Sequence, residues 1–482
     1  MSMKGMEAYD DPVMMAGSDE PTVRRRKKAK GGTLPGPMAD YGYDSSDEVP
    51  SDPADRLRLA REAAAWNNTP PWMRQARGWL GTAMTIAAWL LGLAVGVVVL
   101  GACVFAFTLL NAWGAFERHH GMPDIVQHLA PPPPDNLEIV ANLSHAPGNV
   151  AVSGAGRIFF TFHPDAPQPP CGTKLAEWLV AESRWVPFPD AESQSLMTTP
   201  LGLRADKHDR LWILDHALFG LRKRASLLAF TLAYEADALL YQYEFDRYDA
   251  PYGSMLNDLQ VDPEGRYIYI ADESPLAHNP GFVVYDSLNK LSWRALESDV
   301  SVFMEKRLTI RVSEEPVRVF GLALKVNLDS IALDSRGEYI YYGAMSSGTL
   351  WRIPTVYLRN HSMTDFQRED HVELVSAKPL SDGILIDDDD NVYVTAMEQS
   401  ALVRIDNAAA RATGLTQEKR STNGLTLMAQ NDRLMRWPDG LSFGPDGDVY
   451  MTASAFHLFK THGTSEKANS ALGPYHILRV KV

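Results

Sequence analysis

The chain has 482 residues, of which 45% are hydrophobic and 22% are charged, values typical of a globular protein. Its formal net charge is −14, and residues 1–78 contain 12 basic and 12 acidic side chains, so the acidic excess lies entirely beyond residue 78. An acidic body lacks the basic face that nucleic acids require, and we expect no nucleic-acid partner.

Residues 1–78 are predicted to form a disordered cytosolic tail, because Pro, Gly, Ser and Asp are frequent and apolar periodicity is missing. Within this tail, Asp55–Trp66 is a candidate for a short helix. The basic tract RRRKKAK at 24–30 has two interpretations. It either attracts an anionic membrane surface or serves trafficking, or it is a solvated tract that keeps the tail extended.

Residues 79–110 are predicted to form a transmembrane helix. The stretch 78–116 contains no charged residue and exceeds the roughly 20 residues that span a bilayer. Arg74 and Arg77 precede it and Glu117 follows, so the positive-inside rule predicts a single-pass protein with a cytosolic N-terminus. The remainder is then extracellular or in the secretory lumen. The alternative, a cleaved signal peptide, would have an apolar core of about 7–15 residues near the N-terminus.

Residues 111–136 are predicted to be a Pro-rich stalk. Four consecutive prolines at 131–134 favour a stiff extended spacer that holds the following domain off the membrane. His119, His120 and His128 favour a solvated linker over a metal site, since no helical histidine pair with an acid is present.

Two further features concern the predicted outer side. Cys103 lies in the predicted membrane helix and Cys171 stands alone beyond it, so the outer domain can form no intrachain disulfide. Asn142 and Asn360 begin Asn-x-Ser sequences and are predicted glycosylation sites.

From residue 137 to 482 the chain repeats one pattern six times: an alternating apolar run, a tight turn and a second alternating run. The stretch WPDGLSFGPDGDVYMT at 437–452 shows it best, and such a pattern predicts a β-hairpin. The residue two before the first apolar strand position marks each copy: Gly148, Leu201, Asn257, Asp329, Asp382 and Asp439. These markers are roughly 50 to 70 residues apart, which is the size of a propeller blade with its loops.

The turn of each copy holds a residue type that tolerates a left-handed backbone. These turn residues are Gly156, Asp209, Gly265, Gly337, Asp390 and Gly447. A single hairpin leaves its apolar face wet, whereas radial stacking buries it. We therefore predict an all-β fold, a six-bladed β-propeller over 137–482, preceded by the single transmembrane helix and the disordered tail.

Several motifs in this domain occur in an order that resembles the yellow and major royal jelly protein family. They are GNVAVS with RIFFTFHP (148–164), RLWILD (210–215), MLNDLQVD (255–262), GFVVYD (281–286), DSIALDSRGEYIYY (329–342), KPLSDGILIDDDDNVYVT (378–395) and RWPDGLSF (436–443). The resemblance covers about 137–475 and implies a six-bladed propeller. It also implies one of several roles, namely dopachrome conversion, binding of biogenic amines in the central tunnel, or nutrition. This chain departs from the family in its membrane anchor and its unpaired cysteines.

The marker position begins the innermost strand of each blade, so acids far apart in sequence are predicted to converge at one mouth of the tunnel. Carboxylates held together raise one another's pKa, which allows a proton to be taken and returned near neutral pH. The predicted catalytic residues are Asp258, Asp329, Asp382 and Asp439. Asn257 is predicted to bind and orient the ligand.

Aromatic side chains beside these positions are predicted to stack on a ligand whose ammonium group the acids attract. The candidates, chosen by sequence adjacency alone, are Trp437, Trp212 and Phe162. The competing structural interpretation is that acids at strand ends accept hydrogen bonds from loop amides. That interpretation is strongest for Asp334, Asp387 and Asp446, which belong to the outer hairpin turns.

Three functions remain open from the sequence. The first is a membrane-anchored propeller that binds a small aromatic or amine-bearing ligand, with tautomerase-like activity if it is an enzyme, and without a cofactor. The second is a calcium-dependent lactonase or gluconolactonase, in which Asn257, Asp382 and Asp439 bind the ion. Against it, that group usually has a Glu in the first blade, where this chain has residues 145–148, HAPG.

The third function is a non-enzymatic ligand-binding or adhesive ectodomain. No G-x-S-x-G or P-loop motif is present, so neither serine hydrolysis nor nucleotide chemistry has support. The sequence leaves the oligomeric state and the natural ligand open.

Overall fold

The structure is a computed structural model that describes residues 52–112, 114–115, 118–232, 237–319, 321–406, 408, 424–462 and 472–482. The basic tract and most of the predicted disordered tail lie outside the described residues. The chain divides into two units, the first ending at Gly101 and the second beginning at Ala102.

From residue 52 onward, where the described part of the chain begins, two helices precede the propeller: α1 (Pro53–Asn67) and α2 (Pro71–Ala112). Helix α2 begins eight residues before the predicted boundary at 79, because Pro71 is favoured at a first helical position and no breaker follows it. With 42 residues it is about 63 Å long at ~1.5 Å per residue, more than the hydrocarbon core of a bilayer. By length and composition α2 can cross a membrane, and its most apolar part is not buried against the other residues that the structure describes.

The remainder is built from short antiparallel strands. Those of the first half are β1 (Leu137–Leu143), β2 (Pro147–Val152), β3 (Ile158–Phe162), β4 (Leu175–Leu179), β5 (Arg184–Pro187), β6 (Pro200–Ala205), β7 (Arg210–Asp215), β8 (Ser226–Thr231), β9 (Leu239–Glu244), β10 (Leu256–Val261), β11 (Tyr267–Asp272), β12 (Gly281–Asp286) and β13 (Leu291–Ala295). Those of the second half are β14 (Arg311–Val312), β15 (Glu315–Pro316), β16 (Arg318–Val319), β17 (Leu322–Ala323), β18 (Leu328–Leu333), β19 (Tyr339–Ala344), β20 (Thr349–Pro354), β21 (Glu373–Ala377), β22 (Ile384–Ile386), β23 (Val392–Ala396), β24 (Ala401–Ile405), β25 (Leu425–Gln430), β26 (Pro438–Phe443), β27 (Val449–Ala453) and β28 (Tyr475–Val480).

These strands form six four-stranded sheets, which are the blades of a propeller. Blades one to five are β2–β5, β6–β9, β10–β13, β18–β21 and β22–β25, each in chain order. The innermost strands β2, β6, β10, β18, β22 and β26 contact one another in that order, and β26 returns to β2. The predicted six-bladed propeller is therefore confirmed.

The sixth blade closes the ring with strands from both ends of the domain. Its order is β26-β27-β28-β1, and Leu137 of β1 pairs with Val480 of β28. This pairing covers the edge that β28 would otherwise expose, which protects it from edge-to-edge association.

The tight turns within the blades have the backbone that the sequence predicts. All six turn residues named above have a positive φ, from 53° at Asp209 to 83° at Gly447. Asp334 and Asp387 fix two of these turns by accepting backbone N–H bonds, for example from Glu338 at 2.7 Å and Asn391 at 2.8 Å. The structural interpretation therefore holds for these two acids.

The hydrophobic core lies between adjacent blades. Between blades two and three, for example, Leu214 and Leu227 pack with Ile268 and Ile270. The described part of the segment 111–136 adds to this core rather than forming a free spacer. Val126, only 3% exposed, packs into the cluster between blades four and five, because burial of its apolar side chain favours docking over solvation.

The blades carry few further elements. Short α-helices in the part of the domain that the structure describes include α3 (Thr355–Arg359), α4 (Asp365–Glu369) and α5 (Phe456–His462). Two small hairpins, β14–β15 and β16–β17, lie in the connection between blades three and four. Strand β16 contacts α5, which brings this connection across one end of the tunnel.

Candidate functional site

One end of the central tunnel widens into a cavity of about 400 Å³. Its wall is formed by the first residues of the innermost strands and by loops that follow the second strand of several blades. Val319 and Leu324 of the connection between blades three and four, with Phe456 of α5, line its mouth. The cavity is thus partly covered, and groups inside it are partly shielded from bulk water.

The five polar residues predicted to converge all line this cavity. They are Asn257, Asp258, Asp329, Asp382 and Asp439. The structure therefore brings together the predicted side chains from blades three to six. Their chemical roles stay predictions.

Local backbone structure turns these side chains toward the tunnel. In β10, β18 and β26 the pairing register shifts at the marker, as between Leu256 and Leu259, and such a bulge re-aims side chains. The residue after Asp382 is Gly383, where a Cβ would lie 2.2 Å from the carbonyl oxygen of Asp439. Only glycine permits this close approach of neighbouring innermost strands.

Asp329 is at the centre of the acidic cluster. It is fully buried, and its Oδ1 accepts a hydrogen bond from Asn257 Nδ2 at 2.5 Å. Its carboxyl group is also within hydrogen-bonding reach of Glu273 and Asp382. Burial, followed by the charges of Asp382 and Glu273, raises the pKa of Asp329 well above its usual range, which favours its protonated form.

Glu273 is a fifth acid of the cluster that sequence reasoning missed. It follows β11, is 6% exposed and lines the cavity. Burial raises its pKa to about 8, and neighbouring Asp382 adds to the shift. In each blade, the loop after the second strand lies at the same end of the tunnel as the start of the innermost strand. The position of Glu273 directly after the second-strand sequence RYIYIAD could therefore have indicated that it belongs to the cluster.

Asp258 and Asp382 form the more acidic part of the cluster. Burial raises the pKa of each to about 6, opposed at Asp258 by a backbone N–H bond from Ile331 at 3.1 Å. At Asp382 the rise is opposed by a bond from the Trp437 indole at 2.5 Å. Burial and the charge of Asp382 raise the pKa of Asp439 well above its usual range.

The three aromatic residues predicted to stack on a ligand do not line the cavity. Trp437 is fully buried behind Asp382, and Trp212 lies in the core between blades two and three. Phe162 packs in the core between blades six and one. The placement of these rings thus gives no support to direct ligand contact, because Trp212 and Phe162 belong to second strands and pack between the blades, and Trp437 is buried behind an acid of the cavity.

Cationic groups and a histidine also line the cavity, and the sequence did not indicate them. They are Arg204, Lys325, Lys460 and His163. Lys460 Nζ bonds to Asp165 Oδ2 at 2.7 Å. His163 Nδ1 accepts the N–H of Asp165 at 3.1 Å, and burial lowers the pKa of this histidine to about 4, so it is neutral.

The cluster therefore combines acids of different strength in one enclosed space. At pH 7 Asp258 and Asp382 are mostly ionised and can accept a proton, whereas Asp329 and Glu273 can donate one. The contacts of Asp329 with both Glu273 and Asp382 provide a route between the two kinds of group. Among the described residues, no group of three or more His, Cys, Asp or Glu has a metal-binding arrangement.

Fold and site together define a six-bladed β-propeller with an acidic, partly covered cavity at one end of its tunnel. The family model for major royal jelly proteins matches residues 198–467, more than half of the chain. The chain therefore belongs to the major royal jelly protein family, which confirms the resemblance seen in its motifs. No curated protein sequence matches the chain.

Solved structures with similar folds are distant in sequence. A gluconolactonase from Xanthomonas campestris is 11% identical, covers 71% of this chain and 88% of its own, and has a TM-score of 0.43. A luciferin-regenerating enzyme is 10% identical, with coverages of 72% and 95% and a TM-score of 0.44. Regucalcin from Agrobacterium tumefaciens, a calcium-binding protein, is 13% identical, with coverages of 71% and 94% and a TM-score of 0.42. These likenesses are too weak to bear on function.

Proposed function

We propose that this protein binds a small aromatic or amine-bearing molecule in the 400 Å³ cavity and, if it acts on that molecule, catalyses a tautomerase-like proton shift. The observation that carries the proposal is the enclosure of five carboxyl groups around one space. Ionised Asp258 and Asp382 attract an ammonium group, because charges interact strongly in a partly desolvated site. The volume suits a ligand of drug-like size or smaller.

A proton shift would use the two kinds of acid in turn. Asp258 or Asp382 removes a proton from one atom of the ligand, and protonated Asp329 or Glu273 delivers a proton to another atom. When Asp382 is the base, the proton that it takes up passes back through Asp329 to the group that donated one, so the cluster returns to its initial state. Asn257 orients the carboxyl group of Asp329 through its side-chain amide, in addition to any contact of its own with the ligand. In this mechanism Asp439, beside Asp382, favours its protonated form and so limits the total negative charge of the acidic cluster.

The helix α2 anchors the chain in this proposal. Its length and composition are compatible with one span, and the basic residues before it favour a cytosolic N-terminus. The propeller then meets ligands outside the cell or in the secretory lumen.

The test uses the full chain in detergent. Tyramine binding is measured by calorimetry and dopachrome conversion by its absorbance, for the wild type, Asp382→Asn and Asp439→Asn. The matched control is Asp388→Asn, an exposed acid in a hairpin turn. We expect weaker tyramine binding, by about 10-fold or more, in Asp382→Asn, a smaller loss in Asp439→Asn, because the raised pKa of Asp439 leaves less charge to remove, and no change in the control.

Unchanged tyramine binding and dopachrome conversion in both cavity variants would overturn the proposal. Metal analysis and a lactone-hydrolysis assay on the same preparation test the calcium alternative. Stoichiometric bound calcium, together with lactone hydrolysis that is lost on chelation, would favour metal-dependent hydrolysis over the proton shift.

A further inference from the structure

The floor of the cavity is formed by a pair of polar side chains from neighbouring innermost strands. Arg204 of β6 and Gln260 of β10 line both the 400 Å³ cavity and a second cavity of about 190 Å³ on the other side. Arg204 Nη2 donates to Gln260 Oε1 at 2.6 Å, and Gln260 Nε2 donates to the carbonyl oxygen of Ile331 at 2.7 Å. The pair thus separates the two cavities, with the guanidinium held in place on one side.

The charge of Arg204 is poorly compensated. Across the residues that the structure describes, its one hydrogen bond is to neutral Gln260, and no carboxylate forms an ion pair with it. A guanidinium has five N–H donors, and four of those of Arg204 are not bonded to any residue that the structure describes. Asp258 influences it only through the electric field. Arg204 is only half-buried, yet a guanidinium that is partly withdrawn from water without an ion-pair partner is costly, and an anionic ligand group would offset that cost.

The other cations of the cavity are placed differently. Lys460 is paired with Asp165, and Lys325 belongs to the connection that covers the mouth. Arg204 lies three residues further along its strand than the marker Leu201, roughly 10 Å deeper at ~3.3 Å per residue. The cavity therefore has an acidic wall near its mouth and a cationic floor.

We propose that Arg204 binds a carboxylate, and that the ligand is a zwitterionic or carboxylate-bearing aromatic molecule rather than a simple amine. This inference rests on the proposed function for the amine end and adds a recognition element for the opposite end. A planar guanidinium matches a carboxylate in geometry and forms two parallel hydrogen bonds with it.

Three probes test this inference. Tyrosine has both an ammonium group and a carboxylate, tyramine lacks the carboxylate, and 3-(4-hydroxyphenyl)propionate lacks the ammonium group. Their affinities for the full chain in detergent are measured by calorimetry for the wild type, Arg204→Gln, Arg204→Lys and Lys325→Met. Arg184→Gln, which removes an exposed arginine, is the control. Thermal unfolding of each variant reports whether it is folded.

We expect Arg204→Gln to weaken tyrosine and 3-(4-hydroxyphenyl)propionate about 10- to 100-fold, with tyramine unchanged or tighter. Arg204→Lys should recover part of this loss, because the charge stays and the two parallel bonds do not. Should Arg204→Gln fail to fold, Arg204→Lys keeps the test decisive through the same selective loss.

The outcomes separate the two proposals. Equal effects of Arg204→Gln on tyrosine and tyramine, or a selective loss in Lys325→Met instead, would overturn the carboxylate site while leaving the acidic amine site standing. Absence of tyramine binding to the wild type, with 3-(4-hydroxyphenyl)propionate bound through Arg204, would overturn the proposed amine site and support the carboxylate site. If the wild type binds neither tyrosine nor 3-(4-hydroxyphenyl)propionate, the proposed carboxylate site at Arg204 is wrong.

Discussion

The indole nitrogen of Trp437 donates a hydrogen bond to Asp382 Oδ2 at 2.5 Å, although the two residues are 55 positions apart in the chain. Trp437 directly precedes β26, the innermost strand of blade six, and Asp382 lies two residues before β22, the innermost strand of blade five. The bond stabilises the ionised carboxylate and lowers the pKa of Asp382 against the effect of burial. An aromatic residue expected to touch the ligand instead controls one of the acids.

This relationship predicts the effect of Trp437→Phe. The ring is kept but the donor is lost, so the pKa of Asp382 should rise above about 6, by ~1 unit. The pH at which tyramine affinity is half lost on acidification should rise equally, as measured by calorimetry from pH 5 to 8. Trp212→Phe is the matched control, because its indole donates to Asp206 at 2.7 Å outside the cavity. Identical pH profiles for the two variants would contradict the prediction.

A second prediction concerns stability and pH at Glu273. Its pKa is about 8 in the folded chain and 4.5 ordinarily, so the folded state binds more protons between these values. This contribution is favourable at low pH and is lost as pH rises from about 4.5 to about 8. Glu273→Gln should therefore gain stability relative to the wild type on going from pH 5 to pH 8, on the order of 3 kcal/mol.

Chemical unfolding of the detergent-solubilised chain at both pH values measures this difference. Glu264→Gln, at an exposed position in the hairpin turn of the same blade, should show the same pH dependence as the wild type. If the Glu273→Gln and wild-type stabilities keep a constant difference from pH 5 to pH 8, the raised pKa of Glu273 is wrong.

A third prediction is that binding of a cation releases protons. A positive ligand favours ionised carboxylates, so it lowers the raised pKa values of Glu273 and Asp329. Tyramine affinity should accordingly increase from pH 6 to pH 8. At pH 7, calorimetry in phosphate and in Tris should give different apparent enthalpies, because the buffers take up the released proton with different heats. The double variant Glu273→Gln, Asp329→Asn should lose most of this difference; equal enthalpies in the wild type would rule out proton release.

Glycosylation provides a fourth prediction, which also tests the topology. The side chains of Asn142 and Asn360 are exposed, so both sequons are accessible on the propeller surface. In a eukaryotic host, Asn142→Gln and Asn360→Gln should each reduce the mass removed by glycosidase by about one glycan, on the proposed outer side. Asn67 begins an Asn-Asn-Thr sequon before α2 and should carry none. A glycan at Asn67 with none beyond α2 would reverse the proposed orientation.

Part of the acidic site was accessible from the sequence because it follows the repeat. Asp329, Asp382 and Asp439 occupy the same position of successive copies, and the ring of blades brings equivalent positions together. Glu273 and Arg204 lie outside that position, so the repeat gave no reason to select them. The docking of Val126 was likewise hidden, since a short apolar run in a Pro-rich segment does not reveal the groove that accepts it.

The amino-acid sequence by itself determined the blades and the helix α2. Alternation of period two, residues suited to a left-handed turn and a long uncharged apolar run are local properties, and the backbone responds to them locally. Only the tertiary structure decided which carboxyl groups meet, which aromatic rings are withdrawn between blades and which acids hold a proton. Those outcomes depend on burial and on distances between residues of different blades, and both arise only when the ring closes.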